Sequence, residues 1–368
     1  PEVSRREVLE KAAAEAQRSL HLGEGPLLRV ILFDLGPEQG QRLLIVVHHL
    51  AIDGVSWRIL LDDLWTAYQQ RRRGEAISLP PKTTSFKRWA ERLSEYARSE
   101  AIEAEAAYWL AEPRRRVGPL PVDRSEGENL ESSAKTVVIS LSADETEALL
   151  RRVPEAYRTQ INDVLLTAYA QAMEAWTGAP ITLVDLEGHG REELFGDIDL
   201  TRTVGWFTAL YPVLLELPQG PDVGVQLRAV KEQIRAIPGR GLGHGLLRWM
   251  RGDDARSAEI AALPAAEVSF NYLGQVDQAL PEASPLRGAR ESAGPTHSPR
   301  ALRGHLLDVN ASVLTGRLVV RWTYSENRHE RSTIEALADG FAKALRALID
   351  HCLSPGAGGA TPSDFQEE

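Results

Sequence analysis

The stretch Leu43-Leu44-Ile45-Val46-Val47-His48-His49-Leu50-Ala51-Ile52-Asp53-Gly54 decides how this chain is read. Leu43 to Val47 is an unbroken apolar run, short enough to be a buried strand. It ends in two imidazoles, and a strand end is where a chain commonly presents side chains to a cleft. Asp53 can hold the turn or orient an imidazole. Gly54 is expected to take a backbone angle that other residues resist. A helix opens at Val55, and Trp57, Leu60, Leu61, Leu64 and Tyr68 recur at helical spacing, which predicts an inward stripe.

Working outward, 368 residues are more than one core usually holds, so two lobes are expected. A net charge of -10 argues against a nucleic-acid or anionic-membrane surface. One cysteine, Cys352, excludes an internal disulfide and a cysteine-based zinc site, and suits a reducing cytosol. No apolar run is long enough to span a bilayer and no signal-peptide pattern opens the sequence, so a cytoplasmic location is expected.

Along the chain, Ser4 to Leu20 reads as a helix with a Ser4/Glu7 capping box. Leu27 to Leu35 reads as a strand forming a hairpin with the histidine strand across Gly36 to Gly40. One long helix is expected from about Phe86 to Leu110. The polar, turn-rich stretch Gly118 to Ser133 marks the boundary between lobes at 1–125 and 126–354, with 355–368 as a linker. In the second lobe, Ser142 and Glu145 predict a capping box, and Gln160 to Trp176 an amphipathic helix ended by Gly178 and Pro180. Strands are expected at Lys135 to Leu141, Ile181 to Leu186, Val204 to Leu217 (edge or bulge at Pro212) and Glu267 to Leu273. Ala279 to Arg300 reads as a loop. A hairpin is expected across Thr315-Gly316, and a final helix from Ser332 to Leu353. Alternating helices and strands favour layered α/β packing.

Glu187-Gly188-His189-Gly190-Arg191-Glu192 follows a strand; alone it would pass for a surface turn. Together with His48-His49-x-x-x-Asp53-Gly54, Val204-Gly205-Trp206-Phe207-Thr208 and Phe270-Asn271-Tyr272-Leu273-Gly274-Gln275, it gives four motifs in the order found in epimerization domains. The chain therefore resembles an epimerization domain of a nonribosomal peptide synthetase, within the condensation-domain superfamily, over nearly its whole length. That resemblance implies two chloramphenicol-acetyltransferase-like lobes in a V-shaped pseudo-dimer with a central channel. Such domains usually carry an opening strand and helix ahead of Ser4, so the sequence is expected to start inside the domain; Thr361 to Phe365 resembles the exit toward the next module.

The resemblance also implies the chemistry: removal and return of the Cα proton of an aminoacyl or peptidyl thioester carried on the 4'-phosphopantetheine arm of a peptidyl carrier protein. Inversion by two bases needs an acid/base group on each face. His49 is the candidate on one face and Glu187, partly desolvated between the lobes, on the other. Tyr272 is the candidate donor to the enolate, with a core tyrosine as the competing reading. Strand alternation puts Asn271 and Tyr272 on opposite faces, and the family pattern favours Tyr272 in the channel. His48 is expected to hold the loop, and Asp53 to pair with Arg191, tying the lobes in register; orientation of His49 by Asp53 is the alternative. No metal or soluble cofactor is implied. The rival readings are a condensation domain, which joins two carrier-bound substrates, and a non-catalytic docking domain.

Overall fold

The computed structural model describes residues 2–252, 255–275 and 286–365. The chain divides into two compact units, each assembled from separate segments: 1–91, 189–208 and 278–299 form one, and 92–188, 209–277 and 300–368 the other. The boundary expected near 125 is therefore not where the contacts divide: residues 92–125 belong with the second unit and 189–208 with the first.

The first unit starts with helix α1 (Glu2–Arg18), so Ser4 lies inside the helix and not at its cap. Leu9, Ala13 and Ala16 are its buried positions. Strands β1 (Leu28–Asp34) and β2 (Gln41–Val47) pair antiparallel, Leu28 opposite Val47. The hairpin forms where the sequence places it, but the apolar run is not a buried strand: in β2 only Val46 is buried. In helix α2 (Gly54–Arg72), Leu64 and Tyr68 are exposed, so the apolar stripe is not fully inward. The exposure of β2 has a visible cause. Leu9, Leu43, Ile45, Trp57 and Leu61 line an open cavity of about 1220 Å³ in place of a filled core.

The expected long helix is broken. Helix α3 (Phe86–Tyr96) ends, and α4 (Glu100–Trp109) restarts with Ser99 as N-cap, its side chain accepting from Ile102 N. A serine competes well for a helix N-terminus, and here it splits one apolar pattern into two helices.

Among the described residues the second unit is built on a six-stranded sheet of order β3-β8-β7-β6-β4-β5: β3 (Ala134–Ser140), β4 (Ile181–Gly188), β5 (Ala209–Glu216), β6 (Val268–Gln275), β7 (Leu307–Leu314) and β8 (Arg317–Ser325). β4, β6 and β7 run parallel; the other pairs are antiparallel. The helices follow in chain order as α5 (Ala143–Glu147), α6 (Val153–Tyr157), α7 (Ile161–Thr177), α8 (Val223–Arg235), α9 (Leu242–Gly245), α10 (Ala255–Ala261) and α11 (Arg331–Leu353). The Ser142/Glu145 capping box forms, with contacts of 3.1 and 2.7 Å. α7 ends at Gly178, whose φ of 74° suits a residue without a Cβ. The β7–β8 turn places Thr315 and Gly316 at positive φ, as a tight hairpin with right-handed strands requires.

Alternation divides the sheet into two unlike faces. Val184, Leu186, Phe270, Val309, Ala311, Val320 and Trp322 join one buried cluster with Leu165, Tyr169, Phe341 and Leu345 of α7 and α11. Trp322 and Phe341 meet edge to face at 5.6 Å. The opposite face carries Asp185, Glu187, Ser269, Asn271, Asp308, Asn310 and Arg321. Strand β5 starts at Ala209 and not Val204, because 189–208 leave the sheet. Pro212 sits in this edge strand, where a missing donor costs no ladder bond. Residues 286–300 carry no helix or strand, as expected for the loop, whose remainder at 279–285 lies outside the described residues. The expected linker is anchored in its described part: Asp364, in the turn Pro362–Phe365, binds buried Lys231 at 2.6 Å.

His305 precedes β7 and gives the second unit a pH-sensitive tie. Its Nε2 lies 2.8 Å from Asp185 Oδ2, and its Nδ1 3.6 Å from Asp308 Oδ1. Asp308 also accepts from Ser269 Oγ at 2.7 Å and pairs with Arg303. Burial opposes charge on His305, but the hydrogen bond it donates to Asp185 and the nearby Asp308 carboxylate outweigh it and raise its pKa from 6.5 to about 9. Burial likewise opposes the Asp308 carboxylate, yet His305, Ser269 and Arg303 hold its pKa at about 2. The folded state therefore binds more protons than the unfolded one between pH 6.5 and about 9. The His305 contribution is complete below 6.5 and lost as pH rises through about 9; that of Asp308 is lost only as pH falls through about 2. The urea midpoint is expected to fall as pH rises from 6.5 to about 9, and His305→Gln should flatten that slope. An unchanged slope in the variant would remove His305 as its source.

Candidate functional site

In the first unit the chain leaves β2 and makes a short 3-10 turn, His49–Ala51, before α2. His48 caps that turn: its Nδ1 accepts from Leu50 N at 3.2 Å. His49 is exposed, and its ring lies 5.1 Å from that of Trp206, tilted by 55°. Ile52 is buried, so the turn is pinned on its far side.

Asp53 is 3% exposed and is the N-cap of α2. Its Oδ1 accepts from Ser56 N at 2.7 Å and its Oδ2 from Phe207 N at 3.1 Å. Arg191 Nη2 reaches both oxygens, at 3.2 and 3.4 Å, and donates to Ser56 Oγ at 2.9 Å. Ser56 Oγ donates to Gly205 O and accepts from Gly205 N. Arg191 Nη1 donates to Leu200 O and Thr203 O, and the guanidinium lies 3.9 Å from the Phe207 ring centroid. Burial works against the Asp53 carboxylate, but the donors from Ser56 and Phe207 and the charge of Arg191 hold its pKa below the ordinary value. Both carboxylate oxygens are thus engaged by Ser56, Phe207 and Arg191.

Because 189–208 cluster with the first unit, the Asp53–Arg191 pair ties two segments of one unit and not two lobes in register. The Val204-Gly205-Trp206-Phe207-Thr208 segment is fastened by these contacts. A Cβ at Gly205 would lie 2.4 Å from Phe86 Cδ2, so only glycine fits there. Phe86 in turn meets Phe207 edge to face at 5.1 Å. Gly54 needs a correction: it has no positive φ, and a Cβ there would meet nothing within 4 Å. It opens α2 as any residue could.

In the second unit Glu187 is the penultimate residue of β4 and is exposed, so the partial burial expected for it is not found. Asn271 Nδ2 donates to Glu187 Oε2 at 2.8 Å. The register that sets Asp185 opposite Ser269 carries Glu187 next to Asn271 on one face. Tyr272 follows Val268 and Phe270 on the other face and is half-buried against the hydrophobic core. Burial raises its pKa. Of the two alternating residues it is Asn271 that accompanies Glu187, counter to the expectation for Tyr272. A register shift follows directly, between Tyr272 and Gln275, with Gly274 at φ 71°.

His49, Asp53 and Arg191 thus lie in the first unit, and Glu187, Asn271 and Tyr272 in the second. Sequence reasoning missed Ser56 and Trp206 as partners of these groups. Ser56 carried a usable signal, since the third residue after an N-cap aspartate commonly supplies the donor it accepts from. Among the described residues no group of three His, Cys, Asp or Glu is placed to hold a metal ion, and no helix is long and apolar enough to cross a membrane.

The ion pair makes a testable prediction. Asp53→Ala removes both a helix cap and the partner of a buried guanidinium, and should lower stability by about 2–4 kcal/mol. Arg191→Ala should cost a similar amount, and the double variant less than the sum, with a coupling on the order of 1–3 kcal/mol in urea melts. Strict additivity would mean that the two residues act separately.

The profile of the Condensation domain family matches residues 2–368. A linear gramicidin synthase protein of Brevibacillus parabrevis is 52% identical over 359 residues, which are 97% of this chain and 5% of that protein. Chondramide synthase cmdD of Chondromyces crocatus is 47% identical over 99% of this chain and 9% of its own length. The chain thus spans a small fraction of the curated relatives it matches. Among solved structures, the epimerization domain from the third module of tyrocidine synthetase B aligns with a TM-score of 0.85 and 37% identity, covering 95% of this chain and 77% of that one. The first condensation domain of the CDA synthetase aligns with a TM-score of 0.65 at 21% identity, over 92% of this chain and 73% of that one, a likeness of fold alone. The α/β fold is accordingly that of the condensation domains, with their chloramphenicol-acetyltransferase-like topology, and the chain belongs to the condensation-domain family.

Proposed function

We propose that this domain epimerises the Cα centre, L to D, of an aminoacyl or peptidyl thioester on the phosphopantetheine arm of a peptidyl carrier protein in nonribosomal peptide synthesis. The observation that carries the reading is the Glu187–Asn271 pair on the open face, at the end of β4 and midway along β6: an exposed carboxylate steadied by an amide donor. It occurs in a chain 37% identical to a solved epimerization domain.

A thioester carbonyl delocalises an α-carbanion, so a base of moderate strength suffices when the enolate oxygen meets a donor. His49 and Glu187 are the proposed acid/base pair: one takes the Cα proton and the other delivers a proton to the opposite face. The electron pair moves from the C–H bond into the enolate and back, so nothing is oxidised or reduced. His49 is presented by a turn fixed through His48 and the Asp53 network, with Trp206 restricting its ring. Asn271 has a second N–H beyond the one given to Glu187, which replaces Tyr272 as the proposed donor to the enolate. The pantetheine arm and its thioester belong to the carrier partner.

A condensation domain shares the fold and the two histidines, so the experiment separates the two. A carrier loaded with α-deuterated L-aminoacyl or L-peptidyl thioester is incubated with the domain. Loss of deuterium with appearance of D product supports epimerisation; peptide formation with an added acceptor thioester supports condensation. Loss of one acid/base group should slow washout about 10²- to 10⁴-fold in His49→Ala and Glu187→Gln. Asn271→Ala is expected to cost about tenfold or more, and Tyr272→Phe less than about threefold, since a core-facing ring loses only its hydroxyl. A large loss in Tyr272→Phe with little effect of Asn271→Ala would reverse that assignment.

A further inference from the structure

The open face of the second unit carries two neighbouring rows of polar side chains, and they differ in how they are satisfied. One row, Asp185, Ser269, Asp308 and Thr323, follows the strand register and is closed on itself through Ser269, Arg303 and His305. The next row begins at Glu187 and runs through Asn271, Asn310 and Arg321: Asn271 is in register with Asn310, and Asn310 with Arg321. Asn310 alternates with Val309 and Ala311, both fully buried on the helix side, so its amide faces the open side half-buried. Arg321 lies between buried Val320 and Trp322 and is exposed on the same side. Among the described residues neither side chain makes a hydrogen bond or an ion pair.

Unpaired amide and guanidinium groups in line with a reactive carboxylate form a ladder of donors and acceptors. From β4 across β6 and β7 to β8 is three strand spacings, roughly 14 Å. An extended chain advances about 3.3 Å per residue, so the strip matches about four residues of peptide backbone. We propose that Asn310 and Arg321 bind the backbone amides of the peptide upstream of the residue being inverted, so that the preferred substrate is a peptidyl and not a single aminoacyl thioester. Asn310 can donate to a carbonyl and accept from an N–H; Arg321 offers only donors, which suits carbonyls. The inference rests on the epimerisation reading for its substrate and adds the length of that substrate.

The test compares tetrapeptidyl and aminoacyl thioesters on the carrier, in the wild-type domain and in Asn310→Ala, Arg321→Gln and the double variant. The expected result is a wild-type preference for the peptidyl substrate in kcat/KM. That preference should shrink about tenfold in each single variant, mainly through KM, and vanish in the double. A preference unchanged by the double variant, or none in the wild type, overturns the proposal. Calorimetry with tetrapeptidyl and aminoacyl pantetheine amides, which cannot turn over, reads the same preference without catalysis. Strip-dependent peptide binding without isotope washout would sink the epimerisation reading and keep the strip; washout without strip-dependent binding would do the reverse.

Discussion

Period-two alternation across the second unit's sheet is the constraint that every functional assignment in that unit obeys. Phe341, Trp322, Phe270 and their neighbours commit one face to the helices, so the residues between them have no choice but the other face. Glu187 and Asn271 meet because each is offset by one residue from a buried neighbour, Leu186 and Phe270. The same offset sends Tyr272 inward. A shift of one residue in either strand would exchange open face for core and cost several buried apolar side chains at about 1.5–3 kcal/mol each, so the register is strongly held.

The first unit is held differently. Its apolar surfaces border an open cavity, and its firmest point is polar: Asp53, Ser56 and Arg191, with Gly205 and Phe207 closing over them. A buried carboxylate and guanidinium recover their desolvation only when nearly every lone pair and N–H finds a partner. Arg191 comes close to that condition: Nη1 and Nη2 reach Asp53, Ser56 and two carbonyls, and among the described residues only its Nε finds no partner. The network fixes both ends of what it joins, the start of α2 after His49 and the segment carrying Trp206. The aspartate thus serves the histidine at one remove, by holding the turn and the aromatic ring beside it.

Much of this was legible in advance, for local reasons. The β1–β2 and β7–β8 hairpins, the Ser142 cap, α7 and α11 are each specified by residues within a few positions of one another. The failures share a nonlocal cause. The break between α3 and α4 depends on Ser99 competing as a cap inside a continuous apolar pattern. Val204 and its neighbours have strand composition but leave the sheet because Asp53, Ser56 and Phe86, more than a hundred residues earlier, claim their backbone and fill the space beside Gly205. Gly54 looked conformationally required and is not, since its φ is unexceptional.

By itself the sequence determined the alternation of helices and strands, the four motifs and their family, and the candidacy of His49 and Glu187, because periodicity, caps and turn chemistry are written in near neighbours. Only the tertiary structure decided which member of the Asn271-Tyr272 pair accompanies the carboxylate, where the two units divide, and which polar residues on the open face are left unpaired. Those outcomes depend on the register between strands distant in sequence, and on whether a buried charge finds enough partners, and neither is encoded in any single stretch.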